Sequence, residues 1–295
     1  TKNVLMRLNT DGTIDPTWVG TGLTTLPIEA IDVDTNGFII LGGQFQTAFG
    51  NTQNFITRAT TNGGVDTAFA TKNTVGADAP VLDVLALPDG RIAVAGRFGT
   101  LGGETGLGIG ILNADGSVDA SFALAIGNGV SGTEVWSVAL HQGTHLIIGG
   151  SFAAVNGIPA NNLARVSLSG VVDSTFVADL NGPVNALVVD DADRILVGGS
   201  FTQAGGVTRN RIVRLLADGA VDTGFNAGSG ANDSVDEVLI QYHDDRILIG
   251  GDFTLFDNQP KLRLARVDGG SNLGAGVLGF RQTDFQVSES GGAVS

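Results

Sequence analysis

The feature that most constrains this chain is a short phrase repeated five times: FIILGGQF, RIAVAGRF, HLIIGGSF, RILVGGSF and RILIGGDF. Each ends on a Phe, and these fall at Phe45, Phe98, Phe152, Phe201 and Phe253, with spacings of 53, 54, 49 and 52 residues. A second marker, Asp-x-x-aromatic, recurs at Asp15/Trp18, Asp66/Phe69, Asp119/Phe122, Asp173/Phe176 and Asp222/Phe225, with spacings of 51, 53, 54 and 49. Two separate markers keeping one period of about 50 residues identify a repeat architecture, in which each unit buries its apolar face only against its neighbours.

Within one period, Pro183 to Phe225, four short strands are separated by turn signals. VNALVVD reads as a buried strand, DDAD as a turn, RILVGGSF as the second strand, Gly205-Gly206 as a turn, and RNRIVRLL as the third strand. Asp218-Gly219 then turns the chain into AVDTGF, and Asp11-Gly12, Asp115-Gly116 and Asp268-Gly269 are read as its equivalents. Such dipeptides supply positive φ at low steric cost. No segment shows a capped helical period. The expected fold is therefore all-β, a β-propeller of four-stranded antiparallel blades. In it, Gly lets backbones approach and Phe fills the wedge between blades; a phosphate loop would need a helix after the glycines.

There are five pairs of first and second strands but six third strands, the extra one being VLMRLNT at the start. The strand expected after Asp268-Gly269 decays into SNLGAGVLGF. This gives five complete repeats plus an N-terminal half-blade: either five blades close, or a sixth is completed by strands from elsewhere. An uncovered strand edge is a liability. Residues 1–280 are assigned to the propeller and 281–295 to a linker and the first strand of another domain.

Charge narrows the function. The chain has 16 basic against 30 acidic residues and a net charge of −14, which opposes nucleic-acid binding. It has no Cys, which excludes disulfides and thiolate chemistry. No apolar run reaches the 18 residues of a membrane span. The opening TKNVLMRLNTDG lacks a signal-peptide pattern and begins in mid-repeat, so the chain reads as a piece of a longer protein.

RLNTDGTIDPTW, RLLADGAVDTGF and ILNADGSVDASF resemble the delta-60 repeat family of bacterial β-propellers, over residues 3 to 268. Two departures stand out: Ile111, where Arg7, Arg58, Arg165 and Arg214 occupy the other repeats, and the missing Asp-x-x-Phe after Asp268. DFQVSESGGAVS, residues 284–295, resembles the opening strand of a Calx-beta domain, a calcium-binding sandwich, and Glu289 would fall where that family places an early calcium-ligating Glu. The resemblance implies a large, secreted or surface-displayed bacterial protein and brings no catalytic residues with it.

The repeated Arg and the repeated Asp flank one turn and are expected to pair across it. The first strand of each blade is expected to line the axis, where Glu29, Leu82, Trp136, Asn185 and Asp236 align at one position and Ala30, Asp83, Ser137, Ala186 and Glu237 at the next. Glu29, Asn185 and Asp236 are the candidate ligands for a cation, calcium being the one cofactor in view, since hard cations take oxygen ligands. His141 and His145, with Glu134 nearby, His243 beside Asp244 and Asp245, and the Asp190-Asp191-Asp193 run are weighed against metal binding and read instead as turn residues. No GxSxG elbow is present. The function expected is a non-enzymatic extracellular or cell-surface module for adhesion, assembly or domain spacing, with other surface proteins, glycans or copies of itself as partners. The alternatives are a carbohydrate- or calcium-binding module working at the channel mouth, and a propeller lyase or glycosidase.

Overall fold

The computed structural model describes residues 5–20, 27–241 and 246–269. It is a β-propeller arc of five blades, each an antiparallel sheet ordered inner, middle, outer. The inner strands are Ile28–Val33, Val81–Ala86, Val130–His141, Val184–Val189 and Val235–Gln241. The middle strands are Ile39–Gly43, Ile92–Gly96, His145–Val155, Ile195–Gly199 and Arg246–Gly251, and the outer ones Ile56–Ala59, Ile109–Leu112, Leu163–Ser167, Ile212–Leu215 and Leu264–Asp268. Between middle and outer strands the Gly-Gly turns are elaborated into miniature hairpins, such as Gln203–Ala204 with Val207–Thr208.

The fourth strand is shorter than the sequence predicts. It is one bridge beyond the outer strand, Ala59 to Val65, Leu112 to Val118, Val166 to Val172 and Leu215 to Val221. The chain then winds into a turn at the repeated Asp, and in two blades the turn becomes a helix: α1, Thr67–Lys72, and α2, Ala120–Ile126. The N-caps are Asp66 and Asp119, whose carboxylates accept from the N–H groups of Ala68 and Phe69 and of Ser121 and Phe122. The expectation of no helix is corrected here: at six and seven residues these helices are too short to print a 3.6-residue period. A second correction concerns Asp268. The ladder sets Arg266 opposite Leu248 as it sets Arg214 opposite Leu196, so Asp268 corresponds to Leu216 and Asp268-Gly269 stands two residues ahead of the Asp-Gly turns.

The glycine pair has two separate causes. A Cβ on the second glycine would lie 2.2 Å from the carbonyl oxygen of Glu134 at Gly150, Pro183 at Gly199 and Ser234 at Gly251, so backbone meets backbone within the blade. A Cβ on the first glycine would strike the next blade: Gly42 meets Val81 at 2.5 Å and Val84 at 3.1 Å, Gly149 meets Val184 and Leu187, and Gly198 meets Val235 and Val238. The inner strands of blades 2, 4 and 5 thus each press two apolar side chains into a hollow on the blade before them, while blade 2 carries Ala95 in place of the first glycine. The motif Phe residues are buried beside these joints, each removing about 2–3 kcal/mol worth of apolar surface from water. The core clusters accordingly span neighbouring blades; one joins Ala93 and Ile109 of blade 2 to Val135 and Ile148 of blade 3.

Inner strands pack side by side from blade 1 through blade 5, and among the described residues no comparable contact joins blade 5 back to blade 1. Residues 5–20 form the N-terminal half-blade, closed by a Leu8–Ile14 bridge and held to blade 1 by the Val19 N–H donating to the Asn62 carbonyl at 2.9 Å.

Candidate functional site

The repeated Arg and Asp meet on the outer strand. Nε of Arg7, Arg58, Arg165 and Arg214 donates to Asp15, Asp66, Asp173 and Asp222 at 2.7 to 2.9 Å. Each guanidinium also lies over the aromatic ring of the second marker: Trp18, Phe69, Phe176 and Phe225, at 4.8 to 5.3 Å. A further N–H reaches forward. Arg165 Nη1 donates to the Ala217 carbonyl and Arg214 Nη1 to the Gly269 carbonyl, both at 2.7 Å, and Arg7 reaches the Thr61 carbonyl. At Arg7, Arg165 and Arg214 the Asp-x-x-aromatic marker is therefore half of a clamp that holds a turn of the next blade, whereas Arg58 pairs within its own blade. The Thr175 hydroxyl, together with Arg165, holds Asp173 down at about 2.

Blade 2 carries Ile111 where the others have Arg, and the clamp survives by substitution. Arg91, at the start of the middle strand, donates to Asp119 at 3.0 Å and to the Leu168 carbonyl of blade 3 at 3.1 Å. Sequence reasoning missed Arg91; its only signal was a basic residue beside the strand that pairs with Ile111.

The aligned position on the inner strands proves to be a structural singularity. The ladder slips between Ile28 and Ala30, Val81 and Asp83, Val135 and Ser137, Val184 and Ala186, and Val235 and Glu237. Glu29, Leu82, Trp136, Asn185 and Asp236 are the extra residues of these five β-bulges, and a bulge re-aims the side chain it frees. Asn185 Nδ2 donates to Asp236 Oδ1 and to the Val235 carbonyl, each at 3.0 Å. Glu29, on blade 1, accepts from Gln44 Nε2 at 2.6 Å. Of the predicted cation trio the structure thus joins Asn185 to Asp236, while Glu29 has a partner of its own. Among the described residues no three His or acidic side chains gather as a metal site. Glu289 and the 281–295 segment lie outside the described residues.

The next position stitches inner strands together. Asp83 accepts from the N–H of Val138 at 2.8 Å and of Val84 at 2.9 Å, and Ser137 Oγ accepts from the Leu187 N–H at 3.3 Å. Desolvation pushes Asp83 up to about 7 against those donors, with the Glu237 charge adding to the rise, and desolvation also raises Glu237. These two carboxyls form the titratable part of the axial seam. A group that exchanges its proton near neutrality is equipped for proton transfer, yet Asp83 is engaged by donors from two strands.

His141 is fully buried, with Nε2 3.1 Å from the Asp193 carbonyl, and desolvation depresses its pKa. It faces His145 across the hairpin, while Glu134 is taken up by Arg97 at 2.9 Å and by the Trp136 indole N–H. Asp190 closes its own turn, accepting from Ala192 and Arg194. A cavity of about 290 Å³ between blades 4 and 5 is lined in part by Asp190, Arg194 and Arg214, which are already engaged in ion pairs. His243, Asp244 and Asp245 lie outside the described residues. No helix among the described residues is long and apolar enough to cross a membrane.

A family model described as a domain of unknown function (DUF5122) beta-propeller matches residues 1–17, 35–69, 87–122, 145–176, 193–225 and 243–273. No curated protein matches the chain. Among solved structures, the extracellular domain of a candidate hybrid two-component system from B. thetaiotaomicron is 14% identical over 87% of this chain and 29% of its own, with a TM-score of 0.50. PorZ, a surface component of the type-IX secretion system of Porphyromonas gingivalis, is 13% identical over 81% of this chain and 34% of its own, at 0.47. A gluconolactonase from Xanthomonas campestris is 15% identical over 84% of this chain and 77% of its own, at 0.43. At these identities the likeness concerns the fold alone. This chain spans about a quarter to a third of the length of the first two proteins.

Proposed function

Because this chain belongs to the DUF5122 β-propeller family, we propose that it works as a non-enzymatic module of a surface or secreted bacterial protein, holding or spacing other domains. What carries the reading is the direction in which the polar groups of the repeat point. Arg91, Arg165 and Arg214 each bind an Asp of their own blade and a carbonyl of the next. The repeat directs these guanidinium groups into joints between blades, as suits a body built for rigidity and surface area. The delta-60-like motifs and the Calx-beta-like segment at 284–295 support a place in a long surface protein, with glycans, other surface proteins or further copies as partners.

A second reading, an axial calcium- or glycan-binding module, rests on the Asn185–Asp236 contact at the bulges. One calorimetric series separates the two. Titration with calcium to millimolar concentration, then with neutral and acidic oligosaccharides, is expected to release no heat. Saturable calcium binding that is abolished by Asp236→Asn would replace the first reading with the second. Metal-dependent turnover of a lactone or glycoside would refute both.

A further inference from the structure

At three of the four joints inside the arc the first glycine of one blade seats a Val of the next, with Ala95 in that place on blade 2, and the two ends of the arc hold the unmatched halves of such a joint. Blade 5 keeps the first glycine of the motif, Gly250, but a Cβ there meets nothing closer than 3.8 Å, whereas at Gly42, Gly149 and Gly198 it would lie 2.4 to 2.5 Å from a Val of the following blade. Blade 1 presents the converse. Ile31, which aligns with Val84, Val138, Leu187 and Val238, is 53% exposed where they are 4%, 5%, 7% and 3% exposed. Polar groups tell the same story. Arg266 stands at the clamp position of blade 5 and has no partner among the described residues, while its counterparts Arg165 and Arg214 reach forward to the next blade. Glu237 occupies the place from which Asp83 and Ser137 accept a backbone N–H of the following inner strand. On the blade 1 side, the outer half of a preceding blade is already present, because Arg7 clamps the Thr61 carbonyl of blade 1.

We propose that the open side of the arc is a docking surface for one inner hairpin of this same repeat: an antiparallel pair of strands that completes the half-blade of residues 5–20. Its first strand carries an apolar pair for the hollow at Gly250, and its second strand a glycine that receives Ile31. The occupant is specified by continuity with the joints already formed between blades 1 and 5, since each missing contact has a filled counterpart there.

The test uses the chain itself. Thr1 aligns with Thr208, so a copy of residues 178–207 fused ahead of Thr1 supplies a hairpin in register. The extended chain is expected to remain monomeric, to melt roughly 5 °C or more higher, and to gain hydrogen-exchange protection at Ile31 and along Arg246–Gly251. Gly250→Val should cancel that gain in the extended chain yet leave the parent unchanged, whereas Gly198→Val should destabilise both. An unchanged Tm with no new protection at Ile31 overturns the proposal, and protection at Ile31 without protection on blade 5 overturns closure by a single hairpin. Two measurements on the parent exclude other occupants. Concentration-dependent dimers that protect Ile31 would assign the surface to a second copy, and loss of protection at Ile31 on deleting residues 270–295 would assign it to that segment; either result overturns the proposal.

Discussion

Asp83 ties the inner strands of blades 2 and 3 together, and its protonation makes stability depend on pH. Its pKa is about 7 in the folded chain and about 3.9 when exposed in the unfolded chain. The folded state therefore holds the proton more tightly. Stability is greatest at low pH, declines as pH rises from about 4 to about 7, and is flat above. Three pKa units correspond to about 4 kcal/mol at the plateau, of which about 1.5 kcal/mol is already lost at pH 5. Asp83→Asn removes the ionisation and keeps an oxygen to accept from Val138. Its advantage over the parent chain should grow by about 2.5 kcal/mol between pH 5 and pH 8.5, on top of a pH-independent offset. For 295 residues, a specific unfolding entropy of about 2.1 cal/mol/K per residue makes that a relative Tm change of roughly 4 °C. The comparison starts at pH 5 because the chain's pI is about 4.4 and solubility falls as net charge vanishes. Urea unfolding of both chains, followed by tryptophan fluorescence across this range, reads the difference directly. The other titrating groups, His141 among them, are common to both chains and largely cancel. A gap that stays constant within about 0.5 kcal/mol would mean that Asp83 titrates as an ordinary carboxylate, and the account of a desolvated axial seam would be wrong.

The clamp should be graded by burial: Arg214→Ala, which strands Asp222 and the Gly269 carbonyl at a position 3% exposed, should cost about 3 kcal/mol or more. Arg7→Ala, at a pair whose Arg is 40% exposed, should cost under about 1 kcal/mol; chemical denaturation measures both. Arg91→Ala should behave as a clamp mutation despite its different position, with a loss close to that of Arg165→Ala. Replacing Ile111, which is fully buried, by Arg in the Arg91→Ala chain should not rescue it, as refolding yield would show. Gly199→Ala, whose Cβ would sit 2.2 Å from the Pro183 carbonyl, should lose several kcal/mol. Gly12→Ala, with positive φ but nothing within 4 Å, should lose about 1 kcal/mol in the same assay.

The propeller was legible because its markers are where backbones approach most closely. The second glycine faces a carbonyl of its own blade in all five repeats, and the first, replaced only by Ala95, faces an apolar pair of the next blade at Gly42, Gly149 and Gly198, so both recur visibly. The bulge position was legible as a column of unlike residues, from Leu82 to Asp236, since a residue released from the ladder is no longer held to one packing role. Three things were hidden. The helices at Asp66 and Asp119 begin at a residue that also pairs with an Arg, and one letter cannot announce two duties. Arg91 replaces the Arg missing at Ile111 through strand register, Ile92 pairing with Leu112, a relation that their separation along the chain conceals. Glu29 and Asp236 share a column in the repeat but stand on the first and last blades, and periodicity does not say which end of the arc a residue occupies.

The joint between blades has a heading: a guanidinium is handed forward, and a pair of apolar side chains is received from the neighbour ahead. Any unit copied in tandem and inserted whole arrives with the correct offering for both of its new neighbours, and one excised whole leaves the remainder mutually compatible. Gain or loss of part of a unit leaves a cation or a hollow unanswered. Gain or loss of intact units is thereby the inexpensive route to a larger or smaller body of this kind, because it preserves the period near fifty residues.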